Sequence, residues 1–257
     1  MSRRRFYAPP ESFAPDGAGP VGLSTEESRH LREVLRLRAG DEAFVFDGEG
    51  REFRCVVGEA GRSGRDAARL EVRGRAEPPC AESPLALTLA VALLKGEKFD
   101  LVVQKATELG AARVVPLVTR RADVRLRDER EAARRVERWR RLALEACKQS
   151  GRARVPAIEA PAALAALTAA RARGGEARLM FAERGGVGLD EAAAKIDARP
   201  ASMVALVGPE GGWDDEEIEQ CAHDGWTVVT LGGRVLRAET AAITVAALLQ
   251  HLFGDVK

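Results

Sequence analysis

The sequence predicts an α/β protein that begins with a small β-rich part, and three observations support this prediction. From Leu85 onward, apolar strand-like runs alternate with helical patterns, which is typical of a doubly wound parallel sheet. Residues 203–240 then contain a strand, a glycine loop and a helix, twice in succession. Before residue 77, short alternating runs are separated by turn residues, a pattern typical of a small barrel.

The N-terminal part opens with a basic run that carries two aromatic residues, Arg3-Arg4-Arg5-Phe6-Tyr7. A helix is expected over 24–35, because Ser24 and Glu27 form a capping-box pattern ahead of apolar residues. The dipeptide Asp47-Gly48 between two alternating runs indicates a hairpin. The strands expected here are 42–46, 52–57 and 70–75.

A proline-rich stretch without periodicity, residues 77–84, is interpreted as a linker between two domains, 1–76 and 85–257. The continuous apolar run at 85–94 is typical of a strand buried on both faces. The other strands expected in the second domain are 114–118, 155–158, 178–182, 203–207 and 226–231. The helices expected there are 99–109, 128–149, 161–173, 190–197, one after Asp214 and one over 239–253.

Composition excludes several classes of protein. Lysine and arginine number 40 against 39 acidic residues, so the net charge of +1 gives no overall nucleic-acid signature. The four cysteines form no CxxC motif and the three histidines have no ligand spacing with them, which predicts neither a disulfide framework nor a metal site. The longest apolar run is shorter than the roughly 20 residues that cross a bilayer. Without a signal-peptide pattern, a cytoplasmic protein is expected.

The two glycine loops are the candidate binding site, since both are expected at the carboxyl ends of parallel strands, where open α/β sheets bind ligands. Asp214 and Glu217 form a capping box after the first loop, and four carboxylates occupy the positive end of that helix. A phosphate is therefore disfavoured, and GxGxxG spacing is missing. A positively charged nucleoside such as S-adenosylmethionine fits better, with ordinary tight turns as the alternative reading.

The two loops, GPEGGWDDEEI and LGGRVLRAETA, resemble the paired cofactor loops of the RsmE family of SPOUT RNA methyltransferases. HLREVLRLRAGDEAFVFDGEGREF, KGEKFDLVVQKATELG and QSGR also resemble runs of that family. The resemblance implies a SPOUT domain whose parallel sheet is threaded as a trefoil knot, and an N-terminal PUA-like β-barrel that binds RNA. It also implies methylation of uridine N3 in small-subunit (16S) ribosomal RNA, either free or within the assembled subunit.

The site residues follow from the loops and the resemblance together. S-adenosylmethionine is expected to contact Glu183, Leu206, Gly208, Pro209, Glu210, Gly211, Gly212, Leu231, Gly232 and Leu236. The catalytic candidates are Arg237 and Arg152, for charge on the base, and Glu210, with Glu239 as the alternative base. RNA contacts are expected at Arg3, Arg4, Arg5, Lys95, Lys98, Arg120, Arg121 and Arg152, and no metal is expected.

The last helix is apolar on nearly all sides, so it must be buried in the core or against another subunit. The resemblance implies a homodimer through this helix. Two other functions stay open. The first is a SPOUT enzyme that methylates ribose 2′-oxygens, which is disfavoured because residues 236–239 lack an asparagine. The second is a non-catalytic RNA-binding protein with an unused pocket, and a titration with S-adenosylmethionine would distinguish it from an enzyme.

Overall fold

The computed structural model describes residues 3–15, 17–59, 67–170, 174–196 and 200–257. The chain forms two compact units, Met1–Glu82 with Leu144–Val155, and Ser83–Ala143 with Pro156–Lys257. The sequence analysis placed 144–155 in the second domain, whereas this segment belongs to the first unit. The predicted limits of the domains otherwise stay a prediction.

The first unit is built on a five-stranded mixed sheet with strand order β1-β3-β4-β5-β2. Strand β1 is parallel to β3, and the other pairs are antiparallel. One side packs on apolar residues that include Phe6, Leu31 and Leu70. The elements are β1 (Arg5–Tyr7), a 3-10 turn (Pro10–Ser12), β2 (Gly19–Gly22), α1 (Thr25–Arg29), a π-helix (His30–Val34), β3 (Glu42–Phe46), β4 (Glu52–Val57) and β5 (Arg69–Ala76).

The helix expected over 24–35 is present in two parts. Ser24 caps α1 by accepting a hydrogen bond from the Glu27 amide, as the capping-box pattern predicts. The following turn widens into the π-helix, a change that periodicity does not signal. The hairpin at Asp47 is confirmed, since β3 and β4 pair antiparallel on either side of it.

Arg5 is a structural residue, which corrects the expectation of an RNA-binding basic tail. Its guanidinium forms two hydrogen bonds with Glu52, at 3.1 and 2.7 Å, and donates to the carbonyl oxygens of Cys147 and Arg152, both at 2.9 Å. Arg5 is 7% exposed and Glu52 is fully buried. Arg5, the first residue of β1, therefore ties the segment 144–155 into the first unit, and its guanidinium has no free face for a phosphate.

The second unit is built on an eight-stranded sheet whose main path runs β11-β13-β10-β12-β6-β7-β8, with β9 beside β7. Every recorded pair in it is parallel. Its strands are β6 (Ala86–Ala92), β7 (Arg113–Val118), β8 (Ala157–Ile158), β9 (Ala162–Ala163), β10 (Glu176–Phe181), β11 (Val187–Gly188), β12 (Ser202–Val207) and β13 (Thr227–Thr230). The predicted α/β class with a parallel sheet is confirmed, while the threading as a trefoil knot stays a prediction.

The described residues after α1 form the helices α2 (Lys98–Glu108), α3 (Glu129–Ser150), α4 (Leu164–Thr168), α5 (Leu189–Ala193), α6 (Asp215–His223) and α7 (Ala238–Phe253). The alanine-rich helix expected over 161–173 is shorter, because Ala162 and Ala163 pair with β7 before it starts. Residues 171–173 and 197, which two expected helices included, lie outside the described residues.

Helix α7 is buried along one face within its own unit. Leu249 is fully buried there, together with Ala242 and Val245. The remaining positions of α7 are half-exposed, and Leu252, three residues after Leu249 in the last turn, is 41% exposed. Leu249 is therefore a core residue rather than a subunit contact. In the described part of the chain, no helix combines the length and apolar character needed to cross a membrane.

The buried ion pair of the first unit predicts a large effect on stability. Arg5→Met leaves buried Glu52 with only the longer, 3.3 Å contact to the half-exposed Arg3, which is expected to cost about 3 kcal/mol of unfolding free energy. Urea unfolding followed by circular dichroism measures this difference. Arg4→Met is the matched control, because the neighbouring Arg4 is exposed and its loss should change stability by less than about 0.5 kcal/mol. Equal midpoints for the two variants would contradict this role of Arg5.

Candidate functional site

The loops that follow β10, β12 and β13 enclose a cavity of about 570 Å³ in the second unit. This volume lies within the range of small-molecule sites, about 300–1,000 Å³. The start of α2, after β6, contributes Lys98 to the wall. The cavity therefore lies at the carboxyl edge of the sheet, where the sequence predicted a site.

The first glycine loop follows β12 and packs against the side chain of Trp213. The indole of Trp213 is fully buried and donates a hydrogen bond to the carbonyl oxygen of Phe181 at 2.8 Å. A Cβ atom on Gly208 would lie 3.0 Å from that indole, so the close packing needs glycine there. Gly212 has a φ of +68°, and a Cβ on it would collide with the carboxylate of Glu183. Because these two positions favour glycine, main-chain atoms rather than side chains form this part of the cavity wall.

The acidic first turn of α6 is internally satisfied and held by arginines. Asp214 caps the helix, and its own amide donates to Glu217 at 3.0 Å, so the predicted capping box is confirmed. Arg121 bonds Asp214 at 3.0 Å, and Arg120 pairs with both Asp214 and Glu216. Because carboxylates occupy this helix end, it offers no place for a phosphate.

The second glycine loop, residues 231–237, is mostly exposed and leads into α7. Gly232 has a φ of +113°, a conformation that favours glycine. Arg237 precedes the first turn of α7 and lines the cavity with an exposed side chain. Among the described residues, no hydrogen bond to its guanidinium is recorded, so its donors face the cavity and solvent.

Three charged residues from different connections of the sheet lie close together at the cavity. The Lys98 ammonium bonds a carboxylate oxygen of Glu210 at 2.9 Å, and it lies 3.9 Å from Oε2 of Glu239. Burial opposes ionisation of Glu210, but the hydrogen bond from Lys98 and backbone donors outweigh burial and lower its pKa. Glu210 is therefore a carboxylate at neutral pH, the form that can accept a proton.

The cavity fits S-adenosylmethionine better than a phosphorylated nucleotide. Its glycine-lined walls offer backbone amides and carbonyls to a neutral adenosine. Leu231 and Leu236 supply apolar surface, and the carboxylates of Glu183 and Glu210 suit a sulfonium cation.

All but one of the predicted cofactor residues line this cavity; those that do are Glu183, Gly208, Pro209, Glu210, Gly211, Gly212, Leu231, Gly232 and Leu236. Leu206 does not, because its fully buried side chain belongs to the core cluster of the unit. Lining residues that the sequence analysis missed are Phe181, Ala182, Val207, Trp213, Thr230, Gly233, Arg234, Val235, Ala238 and Ala241. Phe181 and Ala182 end an adjacent strand, so the rule that parallel strands end at one edge could have indicated them.

The predicted RNA-binding residues have different surroundings. Lys95 pairs with Asp123 at 2.8 Å in a solvated ion pair, and Arg120 and Arg121 are exposed beside α6. Lys98 instead lies in the cavity wall. Arg152 belongs to the first unit, where it is 2% exposed and bonds Glu82 at 2.7 Å. The catalytic role of Arg152 stays a prediction.

Family models match both units. A model described as an RNA methyltransferase domain covers residues 81–250, and one described as an RNA methyltransferase PUA domain covers residues 23–64. The chain belongs to the RNA methyltransferase family. This membership confirms the resemblance from which the cofactor loops were interpreted, and it identifies the protein as a methyltransferase.

Relatives of the methyltransferase align over nearly its whole length. "Ribosomal RNA small subunit methyltransferase E" of Synechocystis is 34% identical, over 90% of this chain and 73% of the relative. The protein of the same name in Mycobacterium bovis is 33% identical, over 89% and 85%. A crystal structure of that methyltransferase from Neisseria gonorrhoeae, bound to S-adenosyl methionine, superposes with a TM-score of 0.86 at 30% identity, covering 99% of this chain and 100% of the other.

In the described part of the methyltransferase, no group of three or more His, Cys, Asp or Glu residues is placed to hold a metal ion.

The backbone conformation of the first loop predicts the effect of a single methyl group. Gly212→Ala places a side chain in the left-handed region, at a cost of about 1–2 kcal/mol, and also displaces Glu183. We expect the affinity for S-adenosylmethionine, measured by calorimetry, to fall at least about tenfold, which corresponds to about 1.4 kcal/mol. Gly188→Ala is the control, since a Cβ there meets nothing within 4 Å. Wild-type affinity in Gly212→Ala would show that the loop tolerates a side chain.

Proposed function

We propose that this methyltransferase transfers a methyl group from S-adenosylmethionine to N3 of a uridine in small-subunit ribosomal RNA, and that it does so in the cytoplasm. The observation that carries the proposal is the cavity between the two glycine loops, whose walls suit an unphosphorylated adenosine with a positive charge. The names of the relatives support the ribosomal substrate. The finer choice of N3 rests on the loop sequences and on the side chains that face the cavity.

N3 of uridine carries a proton, so its lone pair attacks only as that proton leaves. Glu210 is the proposed base, because it is ionised and lines the cavity. Arg237 offers guanidinium donors from the adjacent loop to the negative charge that develops on the uracil oxygens. The cofactor supplies the methyl group. The chain supplies the base and the charge that stabilises the uracil anion.

We propose that RNA is bound through phosphate contacts with exposed cations. Arg3, Arg4, Lys95, Arg120 and Arg121 are the residues of this proposal, all but Arg3 and Arg4 being in the second unit. Exposed ion pairs such as Lys95 with Asp123 contribute only about 0–1 kcal/mol, so a phosphate can replace the carboxylate at little cost. The target base must also be unpaired or flipped to reach the cavity.

We also propose a homodimer that uses the half-exposed face of α7. Leu252 on α7 and Leu101 on the neighbouring α2 are 41% and 40% exposed. Apolar side chains on adjacent helices make a surface that favours contact with a second copy. The proposed contact is thus formed by the exposed side chains of Leu252 and Leu101.

The reaction itself is tested by nucleoside mass mapping. Purified protein incubated with transcribed small-subunit ribosomal RNA or with assembled subunits, and with methyl-labelled S-adenosylmethionine, is expected to yield 3-methyluridine at one position. The comparison of the two substrates identifies the natural one. A 2′-O-methylated nucleoside would instead support the ribose enzyme, and cofactor binding without any methylated product would support a non-catalytic RNA-binding protein.

The dimer is tested by sedimentation equilibrium at micromolar concentration. Leu252→Glu places a charge in the proposed contact, so we expect it to dissociate the dimer without unfolding the chain. Leu249→Glu is the contrasting variant, since it puts a charge in the core and should lower the melting temperature. A wild-type protein that sediments as a monomer would overturn the dimer proposal.

A further inference from the structure

Lys98 is the cation at which three loops meet. It begins α2 after β6, bonds Glu210 in the loop after β12, and approaches Glu239 in the first turn of α7. Its side chain is 35% exposed and lines the cavity. Lys95, three residues earlier, instead pairs with Asp123 in solvent. The two lysines of one short segment therefore face different surroundings.

The ammonium of Lys98 keeps donor capacity for a guest. A lysine carries three N–H donors and no acceptor. One donor is used by Glu210 at 2.9 Å, while Glu239 at 3.9 Å is beyond hydrogen-bond distance. No further bond of this side chain is recorded among the described residues. Lys98 can therefore donate to a group that enters the cavity.

The edge of uracil that bears N3 presents an N–H between two carbonyl oxygens. A site for this edge needs an acceptor for N3–H and donors beside the acceptor. Neighbouring atoms of one ring edge need partners that are themselves neighbours, as Nζ of Lys98 and Oε1 of Glu210 are. Cytosine lacks the N3 proton and carries an amino donor beside N3, so the same pair disfavours it.

We propose, resting on the proposed function, that Lys98 is a catalytic residue that donates a hydrogen bond to a uracil carbonyl oxygen next to N3. The N3 proton passes to Glu210, the N3 electron pair forms the bond to the methyl carbon, and the electron pair of the broken methyl–sulfur bond stays on sulfur. The carbonyl oxygens gain negative charge as the proton leaves, and the ammonium stabilises this charge.

Glu239 is a positioning residue for the ammonium. Once Glu210 is protonated it attracts Lys98 less, and Glu239 remains as the nearby anion. Its buried Oε2 has no hydrogen-bond partner among the described residues. A buried carboxylate oxygen without a partner is costly, and the neighbouring ammonium offsets part of that cost. This arrangement keeps Lys98 in the cavity wall throughout the reaction.

The test compares Lys98→Met with Lys95→Met and with Lys195→Met, whose lysine is exposed and paired with Glu191. Three quantities are measured on each variant: the single-turnover rate with saturating transcribed ribosomal RNA or subunits, the calorimetric affinity for S-adenosylmethionine, and the salt dependence of RNA binding. We expect Lys98→Met to lower the rate about 10²–10³-fold, the effect of removing one such donor. Its cofactor affinity and salt slope should stay at the wild-type values.

Lys95→Met should differ by weakening RNA binding, with a salt slope reduced by about one. Lys195→Met should match the wild type. A wild-type single-turnover rate in Lys98→Met would overturn the inference, as would a lower salt slope without loss of rate, which would make Lys98 a phosphate contact. Weaker cofactor binding that accounts for the whole loss would likewise overturn it, because the residue would then only shape the loop.

Two further variants extend the test: Lys98→Arg keeps the positive charge, and Glu239→Gln removes the charge of the positioning residue. Lys98→Arg keeps the charge and should recover part of the rate, whereas Glu239→Gln should lower the rate less than Lys98→Met does. Failure of the proposed function is distinguishable, because the wild type would then form no 3-methyluridine. Failure of this inference alone leaves wild-type methylation intact.

Discussion

In a sheet whose strands all run parallel, every strand ends at the same edge, and the second unit depends on this constraint. The residues after β6, β10, β12 and β13 are far apart in the chain, yet they form one cavity. No single loop holds the site. Lys98, Glu183, Glu210 and Arg237 come from four different connections, and the order of the central strands brings them together.

Main-chain atoms form much of the cavity wall, because the surrounding side chains favour glycine at two positions. A Cβ on Gly208 would press on the buried indole of Trp213, and one on Gly212 would be strained by a φ of +68° and would displace the Glu183 carboxylate. The capping box of α6 uses the helix end that would otherwise attract an anion. The glycine loop and the acidic helix cap are adjacent in the chain. The same short segment therefore offers main-chain groups to the adenosine and disfavours a phosphate.

The sequence predicted the regular elements well where local chemistry decides them. The Ser24 cap, the capping box at Asp214 and the hairpin at Asp47 were confirmed because each depends on residues within a few positions. Arg5 and Leu249 were misjudged, since burial by distant segments gives no local signal. Leu206 was placed in the site although its side chain turns into the core, because period-two alternation shows which residues share a face but not which face meets the ligand. The cofactor itself was predicted through the glycine loops, whereas the meeting of Lys98 with Glu239 requires the tertiary structure.

The discontinuous first unit has a consequence for biosynthesis. The hydrogen bonds from Arg5 to the carbonyl oxygens of Cys147 and Arg152 cannot form until the ribosome has made residues 83–152. At ~5–20 residues per second, synthesis of residues 83–152 takes roughly 3.5 to 14 s. During that interval the side chain of Arg5 can bond Glu52 and lie over the ring of Phe46, but the nascent β-sheet lacks the apolar cluster that Cys147 and Ala153 form with Phe46. The N-terminal sheet is thus synthesised first but completed only after more than half of the chain has been translated.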